Sequence, residues 1–278
     1  MTLLERLLKR LDLREADEDV YLGGSGEGGV TNDARLFGGL VAAQATMAAL
    51  KSVSAPLQLH SLHSYFLRPG RAEKDIVFRV TRTKEGKKFQ VRSILAEQGE
   101  ETIFQLQASF HAPEEGPYHA TTPPATAAPE DCPNRDELRG RDWRAMPIDV
   151  RMVTEITAGE NLPPEQRVWL KANGTVPEDP KMHTALVVYA SDRTLLDTAW
   201  RPHASLGEHV GASLDHVMWF HQQPKFDNWL LYDMTSPAAS NARGLAHGRM
   251  YNQSGELIVS VAQEGLLRVR PNKRSGRG

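Results

Sequence analysis

The sequence predicts an α+β protein made of two copies of one unit, each a central helix wrapped by a long, curled antiparallel sheet. Three observations carry this prediction. Two runs, "FGGLVAAQATMAALKS" and "KMHTALVVYASDRTLL", are helix-like yet apolar nearly all round. A helix embraced by a sheet on most sides needs that composition, because it has no solvent face. Both halves also contain segments with apolar residues at every second position, the pattern of strands with one face buried. Finally, the pattern occurs twice: "LHSLHSYFLRP" in the first half matches "SLDHVMWFHQQP" in the second in its aromatic pair and its proline.

The elements follow in order. Leu3, Leu4, Leu7, Leu8 and Leu11 share one face of an N-terminal helix, and Thr2 and Glu5 have capping-box spacing. "DVYLGGSGEGGV" opens a loop. Its Gly24, Gly26 and Gly29 fit a dinucleotide-binding glycine pattern, but the next helix starts well beyond them and no acidic residue lies about 20 positions on, so they read as loop glycines. After the first apolar helix, "HSLHSYFLRPG" reads as a strand ended by Pro69 and Gly70. In "DIVFRVTRT" Ile76, Phe78 and Val80 share a face, "KEGKK" turns at Gly86, and "TIFQLQASF" places Phe104, Leu106, Ala108 and Phe110 on one side. Residues 113–131, rich in Pro, Ala, Thr and Glu and without periodicity, read as a linker. Beyond it, "VRMVTEI" and "RVWLKANG" read as strands and "KMHTALVVYASDRTLL" as a helix. "SLDHVMWFHQQP", "WLLYDMTS", "ARGLAHGRMY" and "LIVSVAQEGLLR" read as strands, with "NQSG" as a hairpin turn. The division expected is an N-terminal repeat over 1–115, a linker over 116–140 and a C-terminal repeat over 141–278.

Composition narrows the function. A chain of 278 residues, 40% hydrophobic and 24% charged, can bury a large core without staples. Its one cysteine, Cys132, excludes an internal disulfide. A formal net charge of -2 advertises neither a nucleic-acid nor a membrane surface, and the basic tail "RVRPNKRSGRG" has no aromatics and reads as a frayed end. No apolar run approaches the ~20 residues of a membrane span. Glu5, Arg6, Lys9 and Arg10 interrupt the N-terminal leucines, unlike a signal peptide, and the C-terminus is not a peroxisomal address. Cytoplasm is the expected location. The ten histidines lack metal-ligand spacing.

"LFGGLVAAQA", "HSLHSYFLRPG", "VWLKANGTVP", "LVVYASD", "DHVMWFH", "ARG" and "VAQEGLLR" resemble the acyl-CoA thioesterase II family, the double-hotdog thioesterases, in order from about residue 3 to residue 270. The resemblance implies a double hotdog that hydrolyses fatty acyl-CoA to free fatty acid and CoA, without metal or cofactor. It also implies a homodimer or homotetramer. It implies a water nucleophile set up by an Asp, a Ser or Thr, and a Gln. Carried over by motif, these fall on Asp192 of "YASD", Ser213 two residues before the "DH" pair, where many members have Thr, and Gln263 of "QEG".

Chemistry agrees with that set. A thiol of pKa ~8.5 leaves as thiolate without obligatory protonation, so the demands are an oriented water and stabilisation of the oxyanion. A carboxylate ending a buried helix, its pKa raised by low dielectric, can take the proton, while a hydroxyl and an amide hold the water. Singly, each residue has another reading: Asp192 as a helix cap, Gln263 as a polar rim on the face of Leu257, Val259 and Val261, Ser213 as hydrogen-bonded filler. The repeat offers a check. Aligning the halves places Asp192 near Thr46, Ser213 near Leu59 and Gln263 near Ala108, so the first half lacks the set and one site per chain is expected. Gly38, Gly39 and Ala42 are then acyl-pocket lining, or small residues that allow close packing. Arg243 is a candidate for CoA phosphate, or a solvated strand-end arginine. Asp215 and His216 look like an acid–base pair but point to opposite faces of a strand. His60 and His63 read as hydrogen-bonded strand histidines, and Ser191 is not in a nucleophile elbow. Two other functions stay open: a hotdog enoyl-CoA hydratase, which pairs an Asp with a His that Asp192 lacks beside it, and a non-catalytic acyl-CoA-binding protein.

Overall fold

A computed structural model describes residues 1–24, 35–155 and 159–270. The first half runs α1 (Leu3–Leu11), β1 (Arg14–Asp17), β2 (Val20–Gly23), α2 (Gly38–Lys51), β3 (Gln58–Phe66), β4 (Ile76–Lys84), β5 (Phe89–Gln98) and β6 (Glu101–His111). After a stretch containing the single turn α3 (Arg135–Leu138) come β7 (Ile148–Met152), β8 (Glu165–Ala172), α4 (Pro180–Ser191), α5 (Asp197–Trp200), β9 (His209–Ser213), β10 (Asp215–Phe220), β11 (Leu230–Ser240), β12 (Arg243–Asn252) and β13 (Leu257–Val269).

The thirteen strands among the described residues join one antiparallel sheet, in the order β1-β2-β4-β5-β6-β3-β10-β13-β12-β11-β8-β7, with β9 added beside the end of β13. The two halves therefore meet edge to edge at β3 and β10, where Tyr65 faces Asp215 and Ser61 faces Trp219. Pairing at this seam removes two long open edges that would otherwise invite association. The two-residue alternation expected of the strands is present: Phe104, Leu106, Ala108 and Phe110 are buried, while Gln105 and Gln107 between them are exposed.

Both long helices lie inside the curl. Every residue of α2 from Gly39 to Leu50 is buried, and so is every residue of α4 from Met182 to Ser191. They pack on one another as well as on strands, α2 against β3 to β6. The run of alanines in α2 (Ala42, Ala43, Ala45, Ala48, Ala49, none more than 1% exposed) lets these layers approach closely. The N-terminal helix is amphipathic as expected. Thr2 and Glu5 form a reciprocal capping box, and Leu4, Leu7 and Leu11 are buried.

Three details differ from expectation. Val20–Gly23, read as loop, is strand β2, paired with β4 and burying Tyr21. The second helix was expected to reach Leu196 but stops at Ser191, with Asp192 as its C-cap in a turn held by Arg193 N–H on the Ala190 carbonyl. The segment between the halves is not a free spacer. The Trp169 indole donates to the Ala127 carbonyl, Thr121 and Tyr251 share a hydrogen bond, and Asn134 bridges to Arg151, all on the second half. Of the glycine pattern, Gly24 follows β2 and its carbonyl accepts from Gln44; Gly26 and Gly29 lie outside the described residues.

Candidate active site

Asp192 stands where the C-terminus of α4 meets the N-terminus of α2. It caps the C-terminus of α4, and its carboxylate accepts a hydrogen bond from the backbone N–H of Gly39 in the first turn of α2. The first half thus presents a helix N-terminus, the positive end of its dipole, to the acid carried by the second half. The N-cap residue of α2, Phe37, has no side chain that can cap it, so Asp192 is the acceptor there. The corresponding end of α4 is closed by the Asp179 carboxylate and by Pro180, so this arrangement exists at one end of the helix pair.

The other two residues of the set come from the strands. Gln263 on β13 donates to Asp192 Oδ1 at 2.6 Å and to Ser213 Oγ at 2.8 Å; Ser213, at the end of β9, donates to the same carboxylate oxygen at 3.1 Å. Residues 71 and 50 positions apart in sequence are thereby brought to one point. Burial lifts the Asp192 carboxyl well above the usual carboxylate range, to about 6, outweighing the hydrogen bonds from Gln263, Ser213 and Gly39; the Asp197 charge adds to the rise. A group so placed is ionised at neutral pH yet basic enough to take a proton from water. Asp192 does end a helix, but its side chain does not cap that helix: it accepts from Gln263 and Ser213 on the strands and from the first turn of α2.

The other candidates separate. Gly38 touches the acid directly: a Cβ built there would lie 3.0 Å from Asp192 Oδ2 and 2.9 Å from the Phe66 ring. A Cβ at Gly39 would lie 2.7 Å from the Tyr189 carbonyl, so this glycine sets the approach of the two helices. Ala42 is fully packed in the interior and its carbonyl accepts from Thr46. Arg243 forms an ion pair with Glu264 at 2.9 Å, away from the hydrogen bonds of the set. Asp215 and His216 do face opposite ways: Asp215 is half-exposed and accepts the Glu264 N–H, while His216 is fully buried. His60 bonds Ser109, and the His63 ring packs edge-on against Trp219.

Sequence reasoning set aside His216 and Ser191 and missed other neighbours of the site. His216 contacts Ser191 Oγ at 2.7 Å and lies beside Gln263. The turn after Asp192 is tied to α3 by Arg135 to Asp197 at 2.9 Å and by Arg193 to the buried Asp136 at 3.7 Å. In the first half, the register confirms that Ala108 matches Gln263: Leu62 faces Ala108 across β3 and β6 where β10 and β13 bring His216 beside Gln263. Thr46, however, lies inside α2, whose C-cap is Ser52; by position Ser52, not Thr46, is the counterpart of Asp192. The space beside it is occupied. Arg92, 1% exposed and opposite Ala108, donates to both the hydroxyl and the carbonyl of Ser52. The residue opposite Gln263 is Ala246. The signal was present in the sequence: an arginine at an inward position of "FQVRSILA".

Two hotdog units fused at their sheet edges, with a polar cluster where α4 ends against α2, define a double-hotdog protein. Sequence profiles described as "Acyl-CoA thioesterase" and "Acyl-CoA thioesterase N-terminal domain" match residues 137–266 and 28–111. The chain belongs to the acyl-CoA thioesterase family. It is 37% identical to mouse acyl-coenzyme A thioesterase 8, covering 94% of this chain and 88% of that one, and 33% identical to acyl-CoA thioesterase 2 of Haemophilus influenzae, covering 96% and 98%. The crystal structure of an acyl-CoA thioesterase II from Mycobacterium marinum superposes with a TM-score of 0.81 at 37% identity, covering 95% of this chain and 98% of that one. No helix among the described residues is long and apolar enough to cross a membrane.

Proposed function

We propose that the chain hydrolyses fatty acyl-CoA with Asp192 as general base, Gln263 and Ser213 holding the attacking water, and the first turn of α2 receiving the thioester oxygen. The observation that carries this reading is the Asp192 carboxylate held by Gln263 at 2.6 Å and Ser213 at 3.1 Å while facing the N-terminus of α2. Water adds to the thioester carbon as its proton passes to Asp192. The oxyanion forms beside the N-terminus of α2, where the helix dipole favours negative charge. The carbonyl re-forms as that of the free acid, the C–S bond breaks, and the CoA thiolate leaves and takes the water-derived proton from Asp192, which is ionised again. The acyl chain is assigned to the interface of the halves near Gly38, Gly39 and Ala42, and Arg243 to the CoA side.

Thiol release from a series of acyl-CoA lengths tests this directly. Turnover is expected, and a folded protein that binds acyl-CoA without releasing thiol would be a binding protein instead. The pH profile tests the base. Asp192 works only when ionised, so kcat/KM should fall with a slope of one below about pH 6 and be level above it. A level profile from pH 5 to 8 would remove Asp192 from the role. For assembly we propose a homodimer or homotetramer in which the outer face of the seam, where Tyr65 is 55% and Trp219 39% exposed, is covered. A monomeric mass by light scattering at micromolar concentration would refute it.

A further inference from the structure

We infer that His216 is a positioning residue for the hydrolysis: its imidazole fixes which way round the Gln263 amide stands, and so keeps the N–H donors turned toward Asp192, Ser213 and the water they hold. The inference rests on the proposed roles of those three residues. An amide has nearly the same shape either way round. Turned over, Gln263 would set its carbonyl oxygen against the carboxylate that it now holds at 2.6 Å. A donor on the far side of the amide adds to that selection and holds the working orientation.

The far side is Gln263 Oε1. It is buried, and among the described residues it has no hydrogen bond of good geometry; His216 Nδ1 is in the same position. Buried polar atoms rarely stay unpaired, and these two are neighbours. Val217 faces Ala262 across β10 and β13, which makes His216 and Gln263 the adjacent inward pair. The Gln263 side chain is also the polar neighbour that bears on the imidazole, working against burial.

The proton inventory then fixes the tautomer. Burial makes His216 hard to protonate, with its pKa lowered to about 4, so the ring is neutral and carries one N–H. Its Nε2 meets Ser191 Oγ at 2.7 Å, and the same hydroxyl lies 2.9 Å from the Val188 carbonyl. If Ser191 donates to Nε2, the ring proton sits on Nδ1 and points at Oε1. If Ser191 donates to Val188 instead, two acceptors face one another in the interior, which is costly. The first arrangement satisfies all three atoms. The chain of donation runs Ser191 to His216 to Gln263 to Asp192 and Ser213.

The repeat shows that the fold itself does not require this. In the first half the matching pair is Leu62 facing Ala108, both buried. A polar pair occupies the place only beside the acid.

The test uses steady-state kinetics on the acyl-CoA that the wild type turns over fastest. His216→Leu, which installs the residue the first half already accommodates, should lower kcat about 10- to 100-fold with KM changed less than about threefold, the scale of a misplaced reacting group. His216→Asn, whose amide N–H takes the place of Nδ1–H, should recover at least tenfold of that loss, and His216→Gln should not. In a Gln263→Ala background, His216→Leu should cost less than about twofold, because the residue through which it acts is gone. If Gln263→Ala retains wild-type kcat, the proposed triad fails. If Gln263→Ala is slow but His216→Leu costs equally in both backgrounds, or Asn rescues no better than Gln, the His216 role alone is overturned. Should the Leu variant not fold, the Asn-against-Gln comparison decides by itself.

Discussion

Asp192→Asn is expected to lose about a hundredfold to ten-thousandfold in kcat, the range of a removed general base, while melting no lower than the wild type at pH 7. The two halves of this expectation have one cause. In the folded chain the carboxyl binds its proton more tightly than an unfolded one does, with a pKa of about 6 against an ordinary value near ~3.9. Between those values the folded state holds a proton that the unfolded state has released. Stability from this group is therefore highest at low pH and declines as pH rises through the window, so at pH 7 the full cost of a buried charge is present. The asparagine removes that charge and keeps an oxygen to accept from Gln263 and Ser213. Thermal melts and thiol-release kinetics on the same preparation check both parts. A folded variant with undiminished kcat would end the assignment of Asp192 as base, and a melting temperature lowered by many degrees would show that the charge is stabilising.

Gly38→Ala is expected to lower kcat by roughly 10- to 100-fold, as a misplaced reacting group does, with stability little changed. The added Cβ would stand 3.0 Å from Asp192 Oδ2 and 2.9 Å from the Phe66 ring, so both neighbours must give by a few tenths of an ångström. The ring is packed on Phe104 at 4.9 Å between centroids, so much of the displacement falls on the carboxylate. The backbone itself has no objection, because Gly38 opens a helix and alanine is the better helix former. The loss should appear in kcat far more than in the melting temperature. A variant within twofold of wild-type kcat would show that the acid tolerates a shift of its carboxylate.

The fold was legible where periodicity is strong. Helices apolar all round announced a sheet that surrounds them, and the alternation at Phe104, Leu106, Ala108 and Phe110 gave the inward face correctly. Short or continuous patterns misled. Strand β2 has four residues and runs into glycines, so nothing separates it from a loop. The residues after Ser191, Asp-Arg-Thr-Leu-Leu, remain compatible with a helix, and only tertiary bonds such as Arg193 to Asp136 turn the chain away. The site was legible as a set only through the family resemblance, because neither the 71 residues between Asp192 and Gln263 nor the register of β9 on β13 can be read from local pattern. His216 was set aside because strand alternation separates it from Asp215; that reasoning was right, but it leaves open which neighbour the inward residue meets across the strands. The repeat held the answer, since a histidine stands where the other half has Leu62.

The filled counterpart of the site, with Arg92 opposite Ala108 where the second half has Ala246 opposite Gln263, has a consequence for how this chain can change over generations. In a symmetric pair of identical subunits every substitution lands twice, once where the acid is carried and once where its partner helix lines the pocket. A mutation that widened the lining would alter the acid's surroundings as well. Here the copies are inherited together but have been released from that bond. A change at Arg92 or Ser52 is made once, in the filled copy alone, and leaves the hydrogen bonds of Asp192, Ser213 and Gln263 as they are.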